Sequence, residues 1–499
     1  MTLTRRGFLA GTTALTLCRP LQAGSPDAFG PDTVRTIARS LAMHPYSPRP
    51  QVPQDWLDMS YEDYRLRWFR TADALWSGTG GPYEVDFFLP GLYFPRPVRV
   101  NTVQDGTARA VPFDLALFDK TDKAPDLSID DTLGFSGLRL RTELDQPGIR
   151  NEFAVFQGAS YFRAIGWNQI YGLSARGLAL HTADPMGEEF PDFIEFWLET
   201  PAPGQANIVV HALLDSPSVA GAYRFDIHPG PACVMEVTAT LFPRKDLTHV
   251  GLGPLTSMFL YDQTNRTRFD DFRPAVHDND GLMIWNGAGE ALWRPLANPR
   301  ELQVSSFVDE NPRGFGLMQR SRDPGDFADL EALYHRRPGL WVEPRGVWGK
   351  GAVTLVEIPT DREIYDNIVA YWRPAAPVPA GGRVDLAYRL TWADRAPVDT
   401  GLPRVVNTRM GAHQDGGRLV TVDFEASALF EDGPEALTVH IQSPHVETTP
   451  GVLQRNPETG GLRLAFGFRP GERQLVELRA QLRKGGAMAS EVWLYRWTA

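Results

Sequence analysis

The sequence predicts a mainly β fold in which short antiparallel strands form two domains. The 499-residue chain contains 46 Gly and 41 Pro, which is typical of many turns between short strands. Short runs of β-branched and aromatic residues recur along most of its length. No glycine-rich phosphate motif leads from a strand into a helix, and no repeat of fixed period occurs. Together these observations favour an antiparallel β architecture.

Composition and charge indicate an acidic globular protein. Hydrophobic residues make up 42% of the chain and charged residues 22%, as in ordinary folded proteins. The formal net charge of −11 becomes −14 without residues 1–24, because that segment holds three arginines and no acid. This charge argues against a nucleic-acid partner. Only Cys233 of the two cysteines would then remain, so no intrachain disulfide is expected.

The first 24 residues have the pattern of a twin-arginine export signal. The run TRRGFL over residues 4–9 overlaps a short apolar stretch at 8–17, and Ala23 and Gly24 provide a small-residue exit. The pattern predicts export to the periplasm by the twin-arginine route. Cys18 follows a leucine rather than the small residue expected before a lipid-modified cysteine. No segment approaches the roughly 20 apolar residues of a bilayer span, so no stable membrane span is expected.

Two short helices are expected near the start of the mature chain. Residues 31–42 alternate in a helical pattern, and residues 61–75 combine acids, arginines and aromatics. The later runs are β-branched or aromatic and are bounded by Gly and Pro. They predict strands at residues 85–89, 153–156, 208–212, 234–241 and 353–358.

A Pro-rich segment at residues 373–383 predicts a domain boundary. It reads RPAAPVPAGGR, and prolines crowded among small residues are typical of a stiff linker. Alternating runs follow at intervals suited to a β-sandwich, at residues 384–392, 419–424, 436–442, 461–468, 474–482 and 491–497. The sequence therefore predicts a second, smaller β domain over residues 384–499.

The segment over residues 156–177, FQGASYFRAIGWNQIYGLSARG, has the composition of a polar cleft. Its aromatic side chains are Tyr161, Phe162, Trp167 and Tyr171, with Phe156 before them, and its hydrogen-bonding side chains include Arg163, Asn168, Gln169 and Arg176. Aromatic rings stack on the apolar faces of sugars, and planar polar groups bind hydroxyls. A ligand rich in hydroxyl groups is one interpretation of this segment. Two ordinary strands joined by a turn are the other.

A series of motifs runs through nearly the whole predicted mature chain. They are FQGASYFRA, YGLSARG, EEFPDF, ALLDS, GAYRF, PLTSMF, RPAVHDNDGL, PRGFGLMQR, RPGLWVEP, and EIPT followed by DNIVAYW. In this order they resemble the periplasmic glucan biosynthesis proteins of the OpgG/OpgD (MdoG) family. The resemblance implies a periplasmic protein that shapes osmoregulated glucans with a β-1,2-linked glucose backbone. Some members of the family resemble glycoside hydrolases that cleave this linkage.

The resemblance also implies an architecture. It implies a large N-terminal β-supersandwich, galactose mutarotase-like, and a small C-terminal immunoglobulin-like β-sandwich. On this basis residues 1–24 are the predicted signal peptide and residues 25–372 the glucan-active domain. Residues 373–383 are the predicted linker, and residues 384–499 the immunoglobulin-like domain.

Two aspartates are candidates for the acid and base of glycoside cleavage, which usually needs two carboxyl groups. Asp366 precedes an apolar run, where partial burial would raise the pKa of its carboxyl towards that of a general acid. The resemblance implies Asp366 as the acid and Asp278 as the group that activates water, directly or through a relay. Without the resemblance, the residue pattern at Asp366 is typical of a turn former. The run HDNDG is then typical of a tight turn or a calcium loop. His277 and Asp280 are fallback candidates.

Other residues are expected to line the substrate pocket. The resemblance implies Tyr334 and Glu363 there, and Trp341 adds a ring that either stacks on sugar or packs in the core. The predicted substrate-binding set is Tyr161, Arg163, Tyr171, Arg176, Tyr334, Trp341 and Glu363. No second histidine stands at ligand spacing from His277, so His277 is expected to be a structural hydrogen-bond donor rather than a metal ligand. No metal and no cofactor is predicted.

Two classes of function remain open at this stage. One is an enzyme that acts on β-1,2-glucan by hydrolysis or transglycosylation, and the pair of aspartates favours it. The other is a non-catalytic glucan-binding or assembly factor. Residues 412–418 are shorter than the Trp-bearing insertion that hydrolytic members share at this point, which argues against a lid over the substrate. The sequence leaves open whether the chain forms a homodimer.

Overall fold

The computed structural model describes residues 27–499, which form 34 β-strands and four α-helices. The predicted mainly β fold is thereby confirmed. The predicted signal peptide at residues 1–24, including Cys18, lies outside the described residues. Within residues 27–499, no helix has the length and apolar character needed to cross a membrane.

The strands are short and are spread along the whole described chain. In chain order they are β1 Asp27–Ala28, β2 Arg67–Phe69, β3 Glu84–Phe88, β4 Arg99–Gln104, β5 Thr107–Ala110, β6 Phe118–Lys120, β7 Gly137–Gln146, β8 Ile149–Gln157, β9 Tyr161–Ala164, β10 Ser174–Arg176, β11 Ala179–Leu180, β12 Asp192–Glu199, β13 Ile208–Asp215, β14 Val219–His228, β15 Cys233–Pro243, β16 Val250–Ser257, β17 Phe259–Tyr261, β18 Val276–His277, β19 Gly281–Trp285, β20 Ala291–Pro295, β21 Gln303–Glu310, β22 Gly314–Met318, β23 Gly339–Pro344, β24 Lys350–Glu357, β25 Ile368–Pro374, β26 Val384–Ala393, β27 Val405–Ala412, β28 Arg418–Phe424, β29 Thr438–Gln442, β30 Val452–Arg455, β31 Leu462–Phe468, β32 Leu475–Lys484, β33 Ala487–Met488 and β34 Val492–Thr498.

Two sheets pack face to face around the main core. The large sheet has 16 strands, in the order β1-β5-β4-β12-β13-β14-β15-β26-β23-β22-β19-β20-β34-β32-β29 with β33 beside β32. The second sheet has ten, in the order β21-β24-β25-β16-β10-β9-β8-β7-β3 with β11 beside β16. Phe156 and Phe162 of the second sheet meet Phe225 of the large sheet edge-on, with ring centroids 5.2 and 5.0 Å apart. Such aromatic packing joins the inner faces of the two sheets.

The helices are α1 Thr33–Ala42, α2 Gln54–Leu57, α3 Tyr61–Arg65 and α4 Pro324–Phe327. Helix α1 covers the outer face of the large sheet, where Val34 and Ala38 pack with Leu213 and Ala222. The predicted helix over residues 61–75 is wrong beyond Arg65, because β2 pairs there with β6. The reason is tertiary: Phe69 is buried against Phe87 and Phe118, which favours a paired strand over another helical turn.

The C-terminal part of the chain forms a second, smaller sandwich. Its small sheet has the order β27-β28-β31-β30, and it packs against β29, β32 and β34 of the large sheet around a separate core. Along β31 every second residue is buried in that core, at Leu462, Leu464, Phe466 and Phe468. The predicted alternation of this strand therefore has the expected cause, a sheet with only one face buried.

The predicted domain boundary requires a correction. Strand β26, which we assigned to the second domain, lies between β15 and β23 of the large sheet. Residues 373–383 cross from the second sheet to the large sheet, and Leu247 and Val378 exchange backbone hydrogen bonds of 2.8 and 3.1 Å. This segment is thus a tied crossover within the large sandwich. Local alternation predicted the strand β26 but carries no information about its neighbours.

The two sandwiches share a continuous junction. Strand β34 runs parallel to β20, with Leu292 opposite Val492, so the large sheet extends from one sandwich into the other. Trp293 and Trp341 are buried in the C-terminal core although they belong to strands of the larger part. A buried ion pair between Arg320 and Glu491 also crosses the junction. Strand pairing, apolar packing and charge therefore hold the two parts together.

Candidate active site

The outer face of the second sheet carries polar residues of the segment over residues 156–177. Strand β9 pairs with β10, which pairs with β16, and β16 pairs with β25. Phe162, Ala175 and Leu255 of these strands point into the main core. Because side chains alternate along a strand, the neighbouring Tyr161, Arg163, Ser174, Arg176 and Thr256 occupy the opposite face.

Asp366 stands at one end of this face, just before β25. Its side chain is 36% exposed, and its Oδ2 lies 3.7 Å from Nη2 of Arg163. The next residue, Asn367, is buried and anchors the loop with three backbone hydrogen bonds. Its Nδ2 donates to the carbonyls of Phe259 and Ile358 at 3.0 Å, and its Oδ1 accepts from the Phe259 amide at 2.8 Å. This anchor fixes where the Asp366 carboxylate emerges.

The side chain of Arg163 is held in place by a residue on the neighbouring strand β10. Its Nε donates to Oγ of Ser174 on the adjacent strand at 2.6 Å, and the rest of its side chain stays 44% exposed. One end of the guanidinium is therefore fixed and the other faces Asp366. An arginine held in this way can orient a carboxylate or bind a ligand hydroxyl.

Asp278 is buried immediately after β18, with only 5% of its side chain exposed. Burial raises the pKa of its carboxyl, and the neighbouring charge of Asp366 raises this pKa further, while the guanidinium of Arg337 acts in the opposite direction. Arg337 also donates a hydrogen bond to Asp278 Oδ1. The two carboxylates are thus close enough for the charge of one to affect the pKa of the other. Arg337 contacts Asp278, and Arg163 lies beside Asp366.

A network of polar side chains extends from Asp278. Arg337 lies over the ring of Tyr334 at 4.3 Å, and the Tyr334 hydroxyl donates to Glu363 Oε2 at 3.1 Å. Burial raises the pKa of Tyr334, so the phenol remains a donor. Arg273 then pairs with Glu363 at 2.8 Å and with Asp329 at 2.9 Å. This network connects Glu363, on the loop of Asp366, to the neighbourhood of Asp278.

A second polar group lies beside Tyr161. Arg176 stacks on the Tyr161 ring at 4.8 Å, donates from Nε to Thr256 Oγ1 at 2.7 Å, and pairs with Glu188 at 2.5 Å. Burial raises the pKa of Tyr161, and the charges of Glu188 and Asp366 add to this effect. Tyr161 is therefore near Asp366 as well as Arg176.

Comparison with known proteins identifies the family of this chain. The family model described as "Periplasmic glucan biosynthesis protein, MdoG" matches residues 29–497. The chain belongs to this family. "Glucans biosynthesis protein G" of Shewanella frigidimarina is 47% identical over 475 residues, which cover 94% of this chain and 85% of that protein. The protein of the same name from Rhodopseudomonas palustris is 46% identical over 505 residues, 99% of each chain. The family resemblance drawn from the motifs is confirmed.

Most predicted site residues of this family member converge. The residues brought together around the two aspartates are Asp278, Asp366, Tyr161, Arg163, Arg176, Tyr334 and Glu363. Trp341 is not among them: it is fully buried in the C-terminal core, so its predicted stacking on sugar is wrong. Its motif residues form a strand inside the large sheet, where a large ring packs rather than binds. Tyr171 packs against the main core, and within residues 27–499 its buried hydroxyl has no hydrogen-bond partner.

The fallback residues have structural roles. His277 stacks on Phe259 at 5.4 Å, and its Nδ1 lies 2.9 Å from Gln319 Oε1. Burial lowers the pKa of His277, so the ring stays neutral. Both carboxylate oxygens of Asp280 accept the Arg320 amide at 3.0 Å. With Asp278 also paired to an arginine, the carboxylates of HDNDG are already engaged, which argues against the calcium-loop alternative.

Several neighbours of the site were missed by the sequence analysis. Arg337 and Arg273 are the first residues of the motifs RPGLWVEP and RPAVHDNDGL, so a signal was present in each case. Tyr365, beside Asp366, is 52% exposed, and Phe190, stacked by Arg176 at 5.6 Å, is 50% exposed. These two rings offer sugar-stacking faces that the buried Trp341 lacks.

Adjacent substitutions on β9 should separate binding from packing. Tyr161→Ala removes an outward ring, so affinity for a glucan is expected to fall by about 1–3 kcal/mol with little change in melting temperature. Phe162→Ala removes a core ring and should cost about 3–5 kcal/mol of stability. Isothermal titration with β-1,2-glucan and thermal melts of both variants provide the measurement. If wild type and Tyr161→Ala bind the glucan with equal affinity, Tyr161 does not stack on the sugar.

Proposed function

We propose that this chain acts in the periplasm on β-1,2-linked glucan, after export by the twin-arginine route. It cleaves the linkage and passes the glycosyl group either to water or to another sugar hydroxyl. The observation that carries the proposal is the pairing of a buried Asp278 with an exposed Asp366, each beside an arginine, next to an outward face rich in aromatic and polar groups.

Asp366 is the proton donor in this proposal. Its carboxyl is a third exposed at the end of the polar face, where it can reach the oxygen between two sugars. Protonation of that oxygen lets the leaving sugar depart as a neutral alcohol while charge develops on the anomeric carbon. Arg163 orients the Asp366 carboxyl. The backbone hydrogen bonds of Asn367 hold the loop that carries Asp366 in a fixed position on the protein.

Asp278 is the base that activates the acceptor hydroxyl. The Arg337 guanidinium favours its ionised form, while burial raises the pKa of the carboxyl and so makes the carboxylate a stronger proton acceptor. Water or a sugar hydroxyl on the side of the ring opposite the leaving group then loses its proton to Asp278, directly or through a relay. Water as the acceptor gives hydrolysis, and a sugar hydroxyl as the acceptor gives transglycosylation.

Glucan binding without cleavage is the second candidate function. The observation that favours it is the short hairpin between β27 and β28, where His413 donates its backbone amide to the Gly417 carbonyl at 2.9 Å. A hairpin of this length leaves little chain to fold over a substrate. Such a protein would hold or guide a glucan with the same aromatic and polar face.

Incubation with linear β-1,2-glucan tests the proposal. Hydrolysis predicts shorter products and new reducing ends, whereas transglycosylation predicts a changed size distribution with no gain in reducing ends. Because the pKa of Asp278 is raised, activity should begin to fall with decreasing pH above the ordinary aspartate value of 3.8. Linear β-1,3-glucan is the control substrate. Glucan that binds but keeps its length distribution would select the binding function instead.

A further inference from the structure

Two histidines and an aspartate meet on the second sheet, apart from the two aspartates discussed above. His181 and Asp184 follow β11, and His249 immediately precedes β16. Strands β11 and β16 pair with Leu180 opposite Val250, and the His181 amide donates to the His249 carbonyl at 3.0 Å. Strand pairing therefore brings together side chains that lie far apart in the sequence.

The possible ligand atoms are close enough for a single ion. Nδ1 of His181 lies 3.5 Å from Oδ2 of Asp184, and Nδ1 of His249 lies 3.9 Å from the same oxygen. One ligand atom from each of the three residues falls within 4.8 Å of the others. Bonds of about 2.0–2.1 Å in a tetrahedral zinc site place ligand atoms about 3.3 Å apart, so small side-chain movements suffice.

The surroundings orient both histidines. Nε2 of His249 lies 2.8 Å from the Tyr371 hydroxyl, and when Nε2 donates this hydrogen bond the Nδ1 lone pair faces Asp184. A hydrogen bond from the remote imidazole nitrogen is the usual support of a metal-binding histidine. His181 and Ala183 have left-handed backbone angles, with φ of 58° and 62°, which non-glycine residues adopt at an energetic cost. The turn is thus held in a conformation that places His181 beside Asp184.

We propose that His181, Asp184 and His249 form a Zn²⁺ site. Two imidazoles and one carboxylate suit zinc, whereas Mg²⁺ and Ca²⁺ prefer oxygen ligands throughout. The three side chains are 32%, 28% and 16% exposed, so solvent reaches the site and water can supply a fourth ligand. The prediction of no metal considered only spacing around His277, and it did not bring these two histidines together.

The site has a structural connection to the polar face. Thr182, between two of the ligands, donates from Oγ1 to Glu188 Oε1 at 2.7 Å, and Glu188 pairs with Arg176 beside Tyr161. A bound ion would fix the turn that carries Thr182, the donor to Glu188. The zinc site does not depend on the proposed glucan activity, because its ligands are separate from Asp278 and Asp366.

Zinc titration of the purified protein after chelator treatment tests the site. Wild type is expected to bind one tight Zn²⁺ per chain by calorimetry and elemental analysis. His181→Ala with His249→Ala should weaken this binding by about 100-fold or more, and Tyr371→Phe by about 10-fold. The matched control is His228→Ala, since His228 is 47% exposed beside Asp226 on the other sheet and should leave the tight site unchanged.

Thermal melts without metal show whether the variants are folded. If the double variant melts like metal-free wild type but has lost the zinc-dependent rise in melting temperature, the ligands are assigned. Equal zinc affinity in wild type and the folded double variant would overturn the proposal. Equally tight binding of Mg²⁺ and Zn²⁺ by wild type would also overturn it, because imidazole ligands would not explain that behaviour.

Discussion

Replacing Asp366 with asparagine is expected to lower glucan turnover by about 10²-fold or more while glucan binding survives. The amide keeps the size of the carboxyl and an acceptor oxygen, but it has no acidic proton to give to the leaving oxygen. The contact with Arg163 also loses its charge, so binding is expected to change by less than a factor of about ten. Initial rates with β-1,2-glucan and a binding titration of the same sample measure both quantities.

Asp361→Asn is the matched control for this substitution. Asp361 is exposed on the same loop. Its replacement by asparagine therefore makes the same chemical change five residues before Asp366. Its turnover should stay within about twofold of wild type, as for a surface substitution without a buried partner. Full activity of Asp366→Asn would exclude the proton-donor role, and equal losses in the two variants would assign the effect to the loop rather than to the carboxyl.

Replacing Glu491 with glutamine is expected to destabilise the protein by about 3–5 kcal/mol, because it leaves a buried arginine without its counter-charge. Glu491 is fully buried, and its two oxygens accept from Arg320 at 2.7 and 2.8 Å. One of them also accepts the Val405 amide at 2.9 Å, and Arg320 stacks on Trp293 at 3.5 Å. The pair therefore holds the first strand of the small sheet to the large sandwich. Chemical denaturation measures the loss.

Glu290→Gln provides the comparison at the same junction. Glu290 pairs with Arg479 at 2.7 Å, but these side chains are 33% and 34% exposed, so the loss should be below about 1 kcal/mol. Replacing both Arg320 and Glu491 by methionine should recover much of the stability, since no charge is then left buried. Similar losses for Glu491→Gln and Glu290→Gln would contradict the argument from burial.

The two candidate catalytic aspartates could be predicted from the sequence only through motifs. With 61 acidic residues, composition cannot select a pair, and it was DNIV and HDNDG that singled out Asp366 and Asp278. The partners of these aspartates followed from the fold. Arg337 reaches Asp278 because its loop precedes β23, and Arg163 reaches Asp366 through the β9, β10, β16 and β25 order of the second sheet.

The sequence by itself predicted several of the strands, because short β-branched or alternating apolar runs and the turn residues that bound them are local signals. The predicted runs at 208–212 and 461–468 lie at observed strands Ile208–Asp215 and Leu462–Phe468. Only the tertiary structure decided which strands are neighbours and which aromatic rings are buried. It placed Val384–Ala393 in the large sheet, buried Trp341 in the C-terminal core and joined His181 to His249. The physical reason is that pairing and burial depend on surfaces contributed by distant segments, and no local pattern specifies those surfaces.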